Sequence, residues 1–492
     1  MNQILDAYRP IWSLNHAVSL MGWDFETYMP RGGTEERGVA DSQLHMLRKD
    51  LLLNTDFIGL VESAKKLENL GDFEKGIIRV LDREITKQIK IPNELTEAES
   101  LVRIRGNMAW REARAKSDFK MYEPHLKKMI ELKKEIAAKW GYKKHPYDAL
   151  LDTFEEQLTV DDLDKIFGVL TPRIQKLLKK LVDSNSPYCK ENNLERSEYD
   201  VQKVDKLNHD ILTLLQYDMK RFRMDISTHP FTETMGLNDV RITTRYEGID
   251  FKKSVFSTIH EAGHALYNLQ CNQKLSFTPI EGGSSLGLHE SQSRFWENIV
   301  CRSLPFVQLI SPLIRKQVHF TNQTTDDELY LYFNNVKAGY IRVDADEVTY
   351  NLHIAIRYEI EKKIFEDNLN VSEIPDFWND RMDQLLGVRP HEDSLGVLQD
   401  THWSSGLFGY FPTYTLGNLV SAIIASKMHK DLEDFEGDIK SGNFDPIREW
   451  LRLKIHQYGS ALAPKVLLAN SLNEGYNPDY FITYLETKYL NF

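Results

Sequence analysis

The sequence predicts a mainly α protein: one large helical domain spanning residues 1–492, two lobes flanking a groove, with a small β-sheet. Three observations lead there. Apolar residues recur at helical spacing through most of the chain. A single segment alternates with a period of two. No Pro/Ser/Gly-rich linker, repeat or low-complexity run divides the 492 residues, and 41% hydrophobic content supplies a sizeable core.

Taken in order, Ile4, Leu5, Tyr8, Ile11 and Trp12 place a helix over residues 1–20. Long charged helices are expected over 84–140 and 197–222. Thr159-Val160-Asp161-Asp162 is a capped helix start, continued by Leu163, Ile166, Phe167 and Leu170. Asp183 to Pro187 is a loop. Residues 420–490 are again helical. The strand is Asp239 to Tyr246, with Val240, Ile242 and Tyr246 on one face and Asp239, Arg241, Thr243 and Arg245 on the other. A half-buried strand ordinarily turns its polar face to water. Its place just before the histidine-rich helix below makes it a cleft wall, along which an extended peptide could lie.

That helix carries His260-Glu261-Ala262-Gly263-His264. Histidines at i and i+4 project from one face, so two neutral imidazoles can hold one Zn²⁺. Glu261 stands near enough to take a proton from the attacking water. H-E-x-x-H fixes only three positions, and 15 histidines make a chance match a real risk, so the flanks decide. Val255, Ile259, Ala262, Leu266 and Leu269 form an apolar stripe roughly opposite the histidines. Gly263 costs about 1 kcal/mol against alanine in a helix interior, a cost that makes sense where something approaches the backbone closely. Catalytic zinc usually has three protein ligands. A flexible connector, Gly282 to Gly287, opens into a second helix from His289, where Glu290, Glu297 and His289 are all candidates that spacing does not rank.

Further on, a helix near 340–365 carries an apolar stripe (Ile341, Ala345, Val348, Leu352, Ile356) beside a polar one (Arg342, Asp346, Thr349, His353). We read the polar stripe as lining the cleft. An arginine there suits a free carboxylate, which its planar fork can bind through two bonds. Aromatic loops are more often packing than chemistry, yet Tyr410 and Tyr414 could each donate a hydrogen bond to an oxyanion. His402, read alone, is a hydrogen-bonded structural histidine.

Composition limits the alternatives. Net charge is −12 and the lysine clusters lie on amphipathic helices, which argues against a nucleic-acid partner. Cys189, Cys271 and Cys301 make neither a disulfide framework nor a zinc-thiolate site. There is no signal-peptide pattern and no apolar run of membrane-spanning length, so a cytoplasmic, reduced protein away from the membrane is expected.

Together these segments resemble the carboxypeptidase Taq family of zinc metallocarboxypeptidases. The resemblance runs from Met21-Gly22-Trp23-Asp24 and Met29-Pro30 through His229-Pro230-Phe231 and Asp239 to Thr243. It continues in His260 to His264, His289-Glu290-Ser291-Gln292, Ile341 to Asp346 and Gly396 to Trp403. The resemblance implies a predominantly helical fold with a deep groove, similar to neurolysin and angiotensin-converting enzyme. It implies Glu290 as the third metal ligand, zinc or sometimes cobalt as the ion, and a homodimer. It also implies removal of C-terminal residues with broad specificity, proline being disfavoured. Arg342 would hold the terminal carboxylate, with His229 and Arg241 associated with the closed end of the groove. The oxyanion role of Tyr410 or Tyr414 follows from likeness to related groove-shaped peptidases. Peptides with a free C-terminus are the expected substrates. Two rivals stand beside this reading: an oligopeptidase cutting internal bonds of short peptides, and a non-catalytic metal- or peptide-binding protein.

Overall fold

A computed structural model describes residues 1–491. It is mainly helical, with one three-stranded sheet among the described residues. The described residues gather into two compact units. One comprises Met1–Gln88, Asn192–Phe333 and Ser421–Gly475; the other comprises Ile89–Glu191, Asn334–Val420 and residues 476–491.

In the first unit, the opening helix runs Asn2–Thr27 and buries Ile4, Tyr8, Ile11 and Trp23. The sheet has β1 (Phe222–Ile226), β2 (Thr232–Gly236) and β3 (Asp239–Thr244), in the order β1-β3-β2. β3 pairs parallel with β1 and antiparallel with β2. Two expectations are corrected here. As the middle strand, β3 has both hydrogen-bonding edges taken, so no peptide can lie alongside it. The strand also ends at Thr244, and Tyr246 lies beyond it, its hydroxyl bonded to Asp205 at 2.8 Å. Nor does the opposite face simply meet water. Thr243 is fully buried and Arg241 is half-buried.

Val240 and Ile242 are buried in the packing between the sheet and the helix Phe251–Leu269. All five residues of the expected apolar stripe on that helix are buried. The charged helix expected over 197–222 is shorter, Val201–Leu214. The chain leaves it through Gln216, whose φ of 63° breaks helical continuation, and enters β1 at Phe222.

The stretch 84–140, which belongs to the second unit from Ile89 on, divides twice. It breaks at Pro92, between the helices Asp72–Lys90 and Asn93–Lys116, and at Ser117, which caps the latter in the left-handed conformation before the next begins at Phe119. The helix Val160–Asp183 starts with the capping box read from sequence: Thr159 Oγ1 accepts from the Asp162 N–H at 3.2 Å, and Asp162 Oδ2 accepts from the Thr159 N–H at 3.1 Å. The expected helix over 340–365 is half right. Regular helix covers only Tyr350–Phe365, and Arg342–Asp344 is a single 3₁₀ turn. The cause is Asp346. Its carboxylate accepts from the N–H groups of Lys337, Val348 and Thr349 at 2.9–3.0 Å, holding the backbone in a turn that competes with helix. Arg342 and His353 therefore share no helical stripe.

Candidate active site

The helix Phe251–Leu269 presents His260, Glu261 and His264. The next helix, Leu286–Arg294, is capped by the Ser285 hydroxyl and continues into a wide π-helical turn over Phe295–Val300. Gly263 lets the two helices touch. A Cβ placed there would stand 2.7 Å from Ser293 Cα and 2.8 Å from the Gln292 carbonyl. That close approach sets Glu290 against the histidines, which accounts for a glycine in a helix interior.

His260 Nε2 lies 3.6 Å and His264 Nε2 3.5 Å from Glu290 Oε2. These separations are too long for hydrogen bonds. They match the edges of a ligand tetrahedron about a metal bonded at 2.0–2.1 Å, roughly 3.3 Å. The three donor atoms lie within 4.8 Å of one another. The donor set fits a divalent ion such as zinc. Of the candidates that spacing left unranked, Glu290 is the one that joins the histidines' Nε2 atoms.

Glu297 does something else. Its Oε2 lies 2.8 Å from His260 Nδ1, so it fixes Nε2 as the nitrogen that faces Glu290. His289 packs its ring against His264 and Tyr267. Burial pushes the His289 pKa down to about 3. Burial alone would raise Glu290 and Glu297, but Arg294 and neighbouring cations outweigh it and hold both well below the usual carboxylate range. Glu261 is braced by Thr232 of β2, whose hydroxyl donates to Oε2 at 2.6 Å. Thr232 and Arg294 carry no motif signal in a single sequence, so both escaped the sequence reading.

The second unit holds a different cluster. The Arg342 side chain donates through Nε and Nη2 to Asp400 Oδ1 at 2.9 and 2.8 Å, and through Nη1 to the Tyr350 hydroxyl at 3.0 Å. Arg357 donates to the other oxygen of Asp400 through Nε at 2.7 Å. Burial lowers the Arg357 pKa to about 10 and drives His353 and His402 toward the neutral form. Two guanidiniums facing one carboxylate leave a surplus positive charge in a buried site. Tyr414 joins this cluster, its ring centroid 5.0 Å from the Arg342 guanidinium and its hydroxyl 3.3 Å from His402 Nε2. Tyr410 packs against Phe154, His402 and Tyr414. His402 takes the structural hydrogen bond expected of it.

The remaining two candidates belong to the first unit. His229 is exposed in the turn between β1 and β2. Arg241 pairs with Asp239 of its own strand at 2.7 and 2.8 Å.

Two imidazoles and one carboxylate are a donor set that catalytic zinc sites of peptidases use. A family model described as carboxypeptidase Taq (M32) metallopeptidase matches residues 3–489. Thermostable carboxypeptidase 1 of Pyrococcus furiosus is 46% identical, covering 100% of this chain and 98% of its own. Carboxypeptidase 1 of Bacillus subtilis is 36% identical over 99% and 98%. Among solved structures, a Pyrococcus furiosus carboxypeptidase in an Apo-Mg form superposes with a TM-score of 0.98 at 46% identity, covering 99% of this chain and 98% of that one. Metallocarboxypeptidase 1 of Trypanosoma cruzi superposes with a TM-score of 0.94 at 31% identity, over 99% of each chain. The protein belongs to the carboxypeptidase Taq family of metallopeptidases, and is a peptide hydrolase of the carboxypeptidase class.

Proposed function

We propose that this protein is a zinc carboxypeptidase that removes single C-terminal residues from peptides with broad specificity, proline being disfavoured. The observation that carries the metal assignment is the convergence of His260, His264 and Glu290 on a common point. Cobalt would fit the same three donors. When bound, the ion supplies Lewis-acid chemistry, making water a nucleophile near neutral pH.

The chain's own groups do the rest. Thr232 engages Glu261 Oε2, so we assign Oε1 to take the proton from the attacking water and pass it to the leaving amine. The hydroxyl of Tyr410 or Tyr414 donates to the oxyanion that develops on the scissile carbonyl. Arg342 pairs with the free C-terminus; the surplus positive charge of its cluster supports this, since a carboxylate would neutralise it. His229 and Arg241 are assigned to substrate binding at the closed end of the groove.

We assign the working form as a cytoplasmic homodimer; the three free cysteines suit a reducing compartment. No helix among the described residues is long and apolar enough to cross a membrane.

Digestion of an N-blocked peptide, read by mass spectrometry, tests the activity. A ladder losing one residue at a time from the C-terminus is expected, and the C-terminally amidated peptide should resist. Internal fragments would instead identify an oligopeptidase.

A further inference from the structure

Glu290 has two carboxylate oxygens, and they differ in their surroundings. Oε2 faces His260 and His264. Oε1 accepts a hydrogen bond from Arg294 Nε at 2.7 Å, one helical turn further along. Arg294 is not free to swing away. Its Nη1 lies 3.3 Å from Glu297 Oε2, the same oxygen that meets His260 Nδ1. Glu297 is held in turn through Oε1 by Arg302 Nη2 at 3.0 Å, and Arg302 also donates to the Phe333 carbonyl. The links His260–Glu297–Arg294–Glu290 thus close a ring back to the histidines.

We propose that Arg294 is a positioning residue that restricts Glu290 to binding the metal through one oxygen. The inference rests on the metal-binding reading above and deepens it. A charge-assisted hydrogen bond competes with a metal for the same lone pairs, so with Oε1 engaged only Oε2 is offered. A carboxylate is otherwise able to ligate through both oxygens. The catalytic consequence is an open coordination position, which a hydrolytic zinc site needs for water and substrate. The short side chain of Ser293 adds a weaker contact, its hydroxyl 3.2 Å from Oε2. That contact leaves Oε2 to the ion, because the hydroxyl's closer acceptor is the backbone carbonyl of Glu290, at 2.7 Å.

The test is zinc X-ray absorption on the wild type, R294M and R294K, each loaded with zinc and checked for folding by circular dichroism. R294M should keep its zinc and gain about one oxygen scatterer around the ion, as Glu290 turns two-oxygen. R294K, which can still donate to Oε1, should keep the wild-type count. An unchanged count in R294M, or loss of its zinc, would overturn the proposal. If R294M does not fold, R294L, which removes both the charge and the donors, is read by the same two outcomes. Failure of the underlying metal reading looks different: the wild type itself would bind no stoichiometric zinc.

Discussion

Around His260 and His264, two carboxylates and two arginines are arranged so that Nε2 of each histidine and one oxygen of Glu290 face a shared point without bonding to one another. Around Arg342, similar groups do the reverse. Both oxygens of Asp400 are taken, one by Arg342 and the other by Arg357. The first cluster holds its groups apart at metal-ligand spacing; the second satisfies itself and keeps only net charge. A buried carboxylate left to itself would protonate, and both clusters prevent this with arginines. The contrast is between donors held apart at the spacing a small ion would need and a cluster with one positive charge to spare.

The comparison breaks first at Glu361, a carboxyl in the second unit that no arginine neutralises by direct contact. It accepts from the Trp403 indole at 2.7 Å, the Gly409 N–H at 2.8 Å and the Tyr147 hydroxyl. Burial dominates and pushes its pKa up to about 7. A raised pKa means that the folded state prefers the proton. The stability this supplies is complete below the unfolded value near 4.5 and is lost as pH rises through about 7. Relative to E361Q, the wild type should lose on the order of 3 kcal/mol of unfolding free energy between pH 4.5 and pH 8.5. Urea unfolding at several pH values measures this, and parallel profiles would mean that Glu361 stays ionised.

R342Q sharpens the second cluster. Glutamine removes the surplus charge and keeps a polar side chain. kcat/KM on free-acid peptides should fall about a hundredfold, with little change on amidated ones. Equal losses on both would reduce Arg342 to a structural part of the Asp400 cluster. G263A acts on the first cluster. Its methyl would meet the backbone of Ser293, so the metal-free protein should lose about 2 kcal/mol in denaturant unfolding, and zinc binding should weaken as Glu290 is displaced. Unchanged values would show that the two helices separate without cost.

The same contrast explains what the sequence could and could not convey. The histidine helix was legible because its apolar stripe and its i, i+4 donors obey one period, and Gly263 marked the close approach. The 340–349 segment was misread because its apolar spacing imitates a helix, while the side chain of Asp346 bonds three backbone N–H groups and stops one forming. β3 was found by its alternation, but a middle strand and an edge strand read alike, so its place in the sheet was not. Thr232 lies 29 residues from Glu261 and Glu297 lies 37 from His260. Contacts across such distances depend on tertiary packing, which no local pattern records.

The central claim is that Glu261 is the base working beside a metal held by His260, His264 and Glu290. E261Q tests it most directly, with zinc content and turnover measured on the same sample. Zinc content should equal that of the wild type, and kcat should fall about a thousandfold or more. Substantial turnover by zinc-loaded E261Q would contradict the account.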